Sequence, residues 1–534
     1  MNTRKRSLLD CTLRDGGYVN DWEFGKDYIP YIFERIASSG VDAIEVGFLD
    51  ERRPFDPNRT IMPDTESVNR IFGNLNSCGA MKVAMIDYGT CGIEHIQPCS
   101  ECWLDGIRVI FKKENMRPAI DFCKQIKNLG YQVFVQAVSI TSYSDDELRQ
   151  LIELANGIHP HALSMVDTYG LLDAESLGHI ISVIDDNLLP DITLGYHAHN
   201  NFQLGYANAM SMLNKPLSRD VLVDGTLYGM GKSAGNAPIE LIAMYMNTQF
   251  GAKYDVLQMQ EAISTSILDI YKKTPWGYTL FYYIAAANKC HPNYVSFLMN
   301  KRTLSITAVN EILQKIPDDQ KLEKNMALIE QLYIEYQETE CNDEAALEAL
   351  KKAFADKSIL LLGPGTTAKT QEAEICDYIA RQQPLVVAVN YIPDKIPVDY
   401  LFLTNSRRYL QMAHKLTEEA YQNLPIIATS NVTRSGGSFP FVVNYSSLID
   451  KKAEIVDNSM VMLLKLLMKI GVKACALAGF DGYTPDNLNY LDVNMEYSYI
   501  KEKADILNQY AKDFFQANKD QLQVKFITES HYEK

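Results

Sequence analysis

Short apolar runs alternate with amphipathic stretches over about the first 250 residues of the chain. The stretches Tyr28–Ser38 and Ala174–Ile184, for example, carry apolar residues at helical spacing. Strands that alternate with helices predict parallel βαβ units, and eight such units close a TIM barrel. A doubly wound open sheet is the competing fold, but the loop after the first strand, CTLRDGG, is not a glycine-rich dinucleotide turn. The eight predicted strands are Ser7–Leu13, Ala43–Phe48, Lys82–Ile86, Gly106–Phe111, Gln132–Val138, Ala162–Val166, Ile192–Tyr196 and Val221–Val223.

Two further segments follow the predicted barrel. The first is helical and ends in a mixed-charge stretch, and the second resumes the alternation at Ser358 with five strand-like runs. Five strands with helices between them predict a Rossmann-like layered domain. We therefore expect an α/β protein. Its predicted parts are a (β/α)8 TIM barrel over residues 1–250, a helical cover and connector over 251–356, and a C-terminal Rossmann-like three-layer α/β domain over 357–534.

The composition narrows the class of protein and of partner. The chain has 534 residues, 47% of them hydrophobic, as in a globular protein of roughly two to four domains. Acidic residues outnumber basic ones by 67 to 51, and the net charge of −16 argues against a nucleic-acid backbone or an anionic membrane as the main partner. Ten cysteines are scattered along the chain, and no apolar run has the length of a signal peptide or a membrane helix. A cytoplasmic location is expected.

Polar residues concentrate at the ends of predicted barrel strands, where a TIM barrel carries its chemistry. The first strand ends in DCTLRDGG, with Arg14 beside Asp15. The seventh ends in GYHAHNN, and residues two apart on a strand face the same side, so His197 and His199 point together. Two imidazoles and a carboxylate suit a divalent ion such as Mn²⁺, Mg²⁺, Co²⁺ or Zn²⁺. A structural ion pair at Arg14 and a coincidental pair of histidines are the alternatives.

A glycine-rich loop, GMGKSAGNAPIE, follows the eighth strand. Its glycines permit a close approach of the backbone to a ligand. Asn236, near the start of the next helix, either caps that helix or faces the metal. Glu45, at the end of the second strand, is a further inward-facing polar residue at the same level.

CTLRDGG, GYHAHNN and GMGKSAGNAPIE together resemble the DRE-TIM metallolyases, in their order and in their place at strand ends. This family includes hydroxymethylglutaryl-CoA (HMG-CoA) lyase, isopropylmalate synthase and 4-hydroxy-2-oxovalerate aldolase, and the stretch AGNAPIE is most similar to the aldolase. The resemblance spans roughly residues 5–250. It implies a divalent-metal-dependent carbon–carbon lyase of aldolase type, which works through the enolate of a 2-oxo acid such as pyruvate.

The resemblance also implies roles for individual residues. Arg14 matches the arginine that stabilises the enolate oxygen. Asn236 falls where some members have an asparagine near the metal, and Thr168 aligns with a hydroxyl residue that contacts the substrate. The expected ion is Mn²⁺ or Mg²⁺, and the positions that match its ligands are Asp15, His197 and His199.

One position departs from the family. The hydroxy-oxovalerate aldolases have a histidine as general base four residues after the arginine, and this chain has Tyr18 there. A tyrosine, with a reference pKa of about 10, is a poor base unless strongly perturbed. Either Tyr18 is an acid or a substrate contact, or the base comes from elsewhere, or the substrate differs. His291, in the helical segment after the barrel, either reaches back over the barrel mouth or is structural.

The C-terminal segment opens with LLLGPGTT, a predicted strand followed by a tight glycine turn. Such a turn offers backbone N–H groups to a phosphate. We predict that Gly363, Gly365 and Thr366 bind a nucleotide or nucleotide-sugar, with Asp481 at the same edge of the sheet. The order of these motifs loosely resembles sialyltransferase-like and hydroxymethylpterin-pyrophosphokinase-like domains. A domain used only for assembly is the alternative.

These expectations combine into a metal-dependent lyase that takes a 2-oxo acid and an aldehyde as substrates and forms a homodimer. Two other functions are open. In the first, the barrel would be catalytically degenerate and would bind ligands or scaffold a complex. In the second, a nucleotide-dependent transferase activity would reside in the C-terminal domain.

Overall fold

The computed structural model describes residues 4–533 except 302, 303, 305, 338–340, 433–438, 451–454, 456, 493, 494 and 497. The chain divides into two compact units, Met1–Pro292 and Asn293–Lys534. The three-part domain division expected from the sequence stays a prediction, as do the homodimer and the cytoplasmic location. Among the described residues, no helix combines the length and the apolar character that crossing a bilayer requires.

The first unit alternates strands and helices along its length. Its strands are β1 (Arg6–Asp10), β2 (Ala43–Leu49), β3 (Ile61–Met62), β4 (Met81–Asp87), β5 (Gly106–Phe111), β6 (Gln132–Ala137), β7 (Ala162–Asp167), β8 (Thr193–Ala198) and β9 (Val221–Gly225). Its helices are α1 (Tyr28–Ser38), α2 (Thr65–Phe72), α3 (Met116–Asn128), α4 (Asp145–Ile158), α5 (Ala174–Asn187), α6 (Gly205–Asn214), α7 (Ile239–Phe250), α8 (Val256–Ala262), α9 (Leu268–Lys273) and α10 (Leu280–Ala287).

These strands form a closed parallel barrel. Within the described residues, β1 pairs with both β9 and β2, which closes a ring of eight strands, while the short β3 lies outside it against β2. The predicted TIM barrel is therefore confirmed. Several helices begin at the side-chain caps their sequences predict; α4, for instance, starts with a capping box formed by Ser144 and Glu147.

The interior of the barrel changes character along the strands. Towards the amino ends it is apolar and includes Leu9, Val83 and Phe134. Two residues further along, the inward positions are polar yet fully buried, because successive side chains of a strand alternate between faces. These buried polar residues are Glu45, Arg108, Gln136, Ser164 and Asp224. A charged layer thus lies directly beneath the carboxyl ends of the strands.

The rest of the chain is helical at first and then alternates again. Its helices are α11 (Pro292–Lys301), α12 (Ile306–Gln314), α13 (Met326–Gln337), α14 (Glu344–Phe354), α15 (Thr367–Thr370), α16 (Glu372–Gln382), α17 (Ser406–Met412), α18 (Ser459–Lys469), α19 (Ser498–Glu502) and α20 (Ala504–Asn518). Its strands are β10 (Ile359–Leu362), β11 (Leu385–Val389), β12 (Tyr400–Leu403), β13 (Ile426–Thr429), β14 (Phe441–Val443), β15 (Ala474–Ala478) and β16 (Gln523–Phe526).

In the described part of the second unit, these strands form one parallel sheet in the order β14-β13-β12-β11-β10-β15-β16. Alternate residues of β10 enter two separate apolar cores, Ile359 and Leu361 in one and Leu360 and Leu362 in the other, so the sheet is covered on both faces. The α/β class is confirmed, but the sheet has two strands more than the five predicted. The pattern missed β14 because it is three residues long, and β16 because it is a half-exposed edge strand.

Candidate metal centre

The loop after β1 directs Arg14 and Asp15 into the mouth of the barrel. The backbone N–H groups of both residues donate to Cys11 O, at 3.2 and 2.8 Å, which turns the chain sharply. Trp22 fixes the turn, because its indole Nε1 donates to Arg14 O at 2.7 Å. Both charged side chains are nearly completely buried, with 4% and 2% exposure. Burial of two charges at a strand end requires partners. Arg14 and Asp15 pair with each other, and their further partners come from other strands.

His197 and His199 lie together at the end of β8, as the alternation of a strand predicts. Their ring centroids are 5.1 Å apart. One imidazole nitrogen from each histidine and one carboxylate oxygen of Asp15 lie within 4.8 Å of one another. His197 Nε2 is 3.5 Å from Asp15 Oδ2. The structure therefore brings together the three ligand candidates, although Asp15 and His197 are 182 positions apart in the chain.

The protonation of these groups suits a cation. Burial lowers the pKa of His199 to about 4, so its imidazole is neutral at physiological pH. Burial alone would raise the pKa of Asp15, but Arg14 and the histidines hold it well below its usual range. Asp224 Oδ2 lies 3.0 Å from His197 Nδ1 and accepts a hydrogen bond from its N–H. Despite burial, the Asp15 and Asp224 carboxylates raise the pKa of His197, and a cation that displaces the Nε2 proton would meet a lone pair facing Asp15.

Buried polar atoms without hydrogen-bond partners mark the same cluster. His197 Nε2, His199 Nδ1 and Asn236 Oδ1 are buried and make no hydrogen bond within the described residues. Such atoms are costly unless something occupies the space between them. Neutral imidazole nitrogens with carboxylate and amide oxygens are ligands that divalent ions accept. The residues present therefore fit a divalent metal ion.

Asn236 faces this cluster and does not cap a helix. Its Nδ2 donates to Asp15 Oδ1 at 2.8 Å and to Met230 O at 3.1 Å. The next helix, α7, begins after Pro238, without a side-chain cap. The structure thus excludes the capping role, and a role of Asn236 near a metal stays a prediction.

Arg14 is held by a buried ion-pair network in the charged layer of the barrel. Its Nε donates to Glu45 Oε2 at 2.6 Å, and its Nη1 pairs with Asp15. Arg108 lies beneath it, with Nη1 3.1 Å from the same Glu45 oxygen and Nη2 paired with Asp224. Opposite charges at these distances fix the Arg14 guanidinium beside the candidate metal ligands.

Arg108 and Asp224 were missed by the reasoning from sequence. Both occupy inward positions of strands that are otherwise apolar, in GIRVIF and VLVDG. A charged residue in a strand that is buried on both faces is the signal that could have found them, because such a charge needs a partner.

The other barrel candidates lie around this centre. Tyr18 is 39% exposed and packs its ring edge-on against Trp22, with centroids 4.7 Å apart. Burial and the charge of Asp15 raise the pKa of the Tyr18 phenol. Thr168 follows β7, and its hydroxyl accepts a hydrogen bond from Ser139 N at 2.7 Å. The ring of His291 lies 6.0 Å from that of Tyr169.

In the second unit, the predicted phosphate turn is closed by an internal carboxylate. Asp481 accepts hydrogen bonds from Thr366 Oγ1 and Thr367 N, at 2.8 and 2.9 Å. A Cβ on Gly365 would lie 2.5 Å from Asp481 Oδ1, and one on Gly363 would lie 2.5 Å from Gly479 O. The glycines therefore allow the ends of β10 and β15 to pack together, and the Asp481 carboxylate occupies the place predicted for an anion.

A cavity of about 400 Å³ opens beside this turn. It lies at the carboxyl ends of the strands, where the strand order reverses between β10 and β15, a position at which open α/β sheets bind ligands. Nucleotide binding there stays a prediction. Among the residues that line the cavity are Gly365, Asn390, Asn405, Arg408, Asp481 and Tyr490.

Comparison with known proteins relates the barrel to one family. A family profile described as HMGL-like matches residues 5–267. The oxaloacetate decarboxylase of Mycobacterium tuberculosis is 24% identical over 280 residues, which cover 51% of this chain and 81% of that protein. A 4-hydroxy-2-oxovalerate aldolase of Salinispora arenicola is 24% identical over 277 residues, 51% of this chain and 77% of its own. The solved hydroxymethylglutaryl-CoA lyase of Pseudomonas aeruginosa is 15% identical with a TM-score of 0.43, and the match covers 52% of this chain and 96% of that one.

Proposed function

We propose that this protein, whose residues 5–267 belong to the HMGL-like family, is a divalent-metal-dependent carbon–carbon lyase that acts through the enolate of a 2-oxo acid. The observation that carries the proposal is the buried Arg14 guanidinium, fixed beside Asp15, His197 and His199 at the carboxyl ends of the barrel strands. A structural ion pair has no need of unpartnered imidazole nitrogens next to it.

The metal would be held by Asp15, His197 and His199, with Asn236 beside them, its Nδ2 donating to Asp15 Oδ1. When bound, a divalent ion polarises the ketone oxygen and stabilises negative charge that develops on it. Mn²⁺ and Mg²⁺ are the ions that we expect from the mixed carboxylate, amide and imidazole set.

In the proposed reaction, the C3–C4 bond of a 4-hydroxy-2-oxo acid breaks. The hydroxyl proton passes to a general base other than Tyr18, the hydroxyl oxygen becomes the aldehyde oxygen, and the electron pair of the broken bond forms the enolate of pyruvate. A proton then adds to C3 of the enolate to give pyruvate. Arg14 acts on this charge: the neighbouring Asp15 and Glu45 carboxylates keep its pKa well above the ordinary value despite burial, so the guanidinium is always cationic. A fixed cation aimed at developing negative charge lowers the barrier without reorganising in the reaction.

Tyr18 does not take the hydroxyl proton in this proposal. Its raised pKa keeps the phenol protonated at neutral pH, so Tyr18 donates a hydrogen bond to the substrate. Tyr18 thus occupies the position of the histidine of the hydroxy-oxovalerate aldolases but does not act as the general base.

We expect Tyr18→Phe to lower kcat/KM by less than about tenfold, the effect of one neutral hydrogen bond. The ascending limb of its pH profile should match that of the unchanged protein, because no titrating base has been removed. Steady-state kinetics from pH 5 to 10 measure both. A loss of more than about 100-fold together with the disappearance of the ascending limb would show that Tyr18 is the base.

The proposed function is tested with the full chain, stripped of metal and then loaded with Mn²⁺. We expect pyruvate release from 4-hydroxy-2-oxo acids or decarboxylation of oxaloacetate, lost with a chelator and restored by Mn²⁺. Binding of Mn²⁺ without any turnover of these acids would favour the degenerate barrel. Absence of Mn²⁺ and Mg²⁺ binding, measured by calorimetry, would contradict the metal centre itself.

A further inference from the structure

Lys232 is a cation beside the candidate metal ligands, and among the described residues its charge has no ion-pair partner. Arg14 lies between Asp15 and Glu45, and Arg108 lies between Glu45 and Asp224, so both guanidinium charges are compensated. Among the described residues, the Lys232 ammonium group has no carboxylate within ion-pair distance and makes no hydrogen bond, although the residue is partly buried.

The backbone holds Lys232 next to Asp15, one of the three candidate metal ligands. Its N–H donates to Asp15 Oδ1 at 3.2 Å, and a Cβ on the preceding Gly231 would lie 2.7 Å from the same oxygen. The following Ser233 has a left-handed φ of 60°. This close approach, which needs glycine at 231, sends the side chain across the ring of Tyr18, with Nζ 5.3 Å from the ring centroid.

The surroundings of the Lys232 ammonium group compensate its charge only in part. Burial lowers the pKa of Lys232, while the charges of Asp15 and Asp87 raise it, and neither carboxylate reaches the ammonium group. The face of an aromatic ring compensates a desolvated cation only in part. An anionic group placed there would regain the ion pair that the protein leaves unmade.

We propose that Lys232 is a substrate-binding residue. Its ammonium group pairs with a carboxylate of the substrate bound at Asp15, His197 and His199. This inference rests on the proposed function. The carboxylate comes either from the 2-oxo acid itself or from a second anionic group further along the substrate. In the second case, the enzyme prefers acids with two carboxylates over pyruvate-like acids with one.

The competing role is structural, with Lys232 serving to hold the ring of Tyr18. A structural role would lower the thermal stability of a Lys232 variant and leave ligand affinity unchanged. A substrate-binding role would lower ligand affinity and leave thermal stability unchanged. Affinity and thermal unfolding measured on the same variants therefore separate the two roles.

The experiment compares four variants of the full chain. Lys232→Met and Lys232→Gln remove the charge, and either serves if the other does not fold. Lys232→Arg restores the charge, and Lys124→Met, on the exposed face of α3, is the matched control. Calorimetry measures the binding of Mn²⁺ first, and then of pyruvate and 2-oxoglutarate to the Mn²⁺-loaded protein, at low and high salt.

We expect the charge-removing variants to bind Mn²⁺ normally and 2-oxo acids about 10- to 100-fold more weakly, with less sensitivity to salt. Lys232→Arg should recover most of the affinity, and Lys124→Met should lose none. Equal losses for the two acids identify the 2-oxo acid carboxylate, whereas a loss for 2-oxoglutarate alone identifies a second anionic group. Unchanged affinity for both acids overturns the inference and leaves the proposed function standing. If the unaltered Mn²⁺-loaded protein binds neither acid, the proposed function fails and the inference falls with it.

Discussion

His199→Ala is expected to abolish binding of the divalent ion and, with it, all metal-dependent turnover. Asp15 and His197 alone leave two protein ligands where the structure brings three together. Loss of an outer hydrogen-bond partner of a metal ligand costs about 10- to 100-fold in affinity, so we expect loss of a ligand to exceed 100-fold. The imidazole is neutral, with a pKa of about 4, so its removal deletes a ligand without unbalancing the buried charges.

Two measurements check this expectation. Calorimetry gives the affinity for Mn²⁺ directly. Thermal unfolding gives it indirectly, because an ion present at 100 times its Kd stabilises the native state by about 2.7 kcal/mol, and a variant that does not bind gains nothing. His179→Ala is the matched control, since His179 lies exposed on α5, 2.9 Å from Asp145. Normal Mn²⁺ binding by His199→Ala would mean that this histidine is structural.

The barrel was predictable because its strands obey a simple pattern. Each is an apolar run that precedes a helix with a clear apolar face, and Tyr28–Ser38 was predicted with the bounds that α1 has. The position of His197 beside His199 followed from the same alternation. Their approach to Asp15 followed from the family resemblance and from the closure of the barrel, which brings strand ends together.

The parts that were not predictable depend on contacts between distant residues. Asn236 had two equally good roles until the structure placed Asp15 next to its amide. The turn at Gly363 was predicted as a phosphate site, and only the structure shows that Asp481, more than a hundred residues later in the chain, accepts a hydrogen bond from the backbone of this turn. That Lys232 has no ion-pair partner among the described residues is visible only once the partners of Arg14 and Arg108 are known. Local pattern identifies which residues are unusual, and only the fold shows what each one faces.

Arg14→Ala is expected to keep the metal ion and lose turnover, by about 10²- to 10³-fold in kcat, the loss measured when one group that stabilises developing negative charge is removed. Metal binding should be equal or tighter, because Arg14 pairs with the ligand Asp15 and competes with the ion for it. The change also leaves Asp15 without its ion pair, whereas Glu45 keeps Arg108 at 3.1 Å. Without metal, the variant should therefore be less stable by about 3 kcal/mol, and Mn²⁺ should restore part of that loss because it replaces the missing positive charge.

The controls for Arg14 separate charge from geometry. Arg14→Lys keeps the charge but not the fork that reaches Asp15 and Glu45 together, so we expect it to recover stability more than turnover. Arg149→Ala, on the exposed surface of α4, should change neither. Equal loss of Mn²⁺ binding in Arg14→Ala and His199→Ala would contradict the roles assigned to both residues. It would mean that the ion pair of Arg14 and Asp15 positions the metal ligands and that Arg14 does not act on the bound substrate.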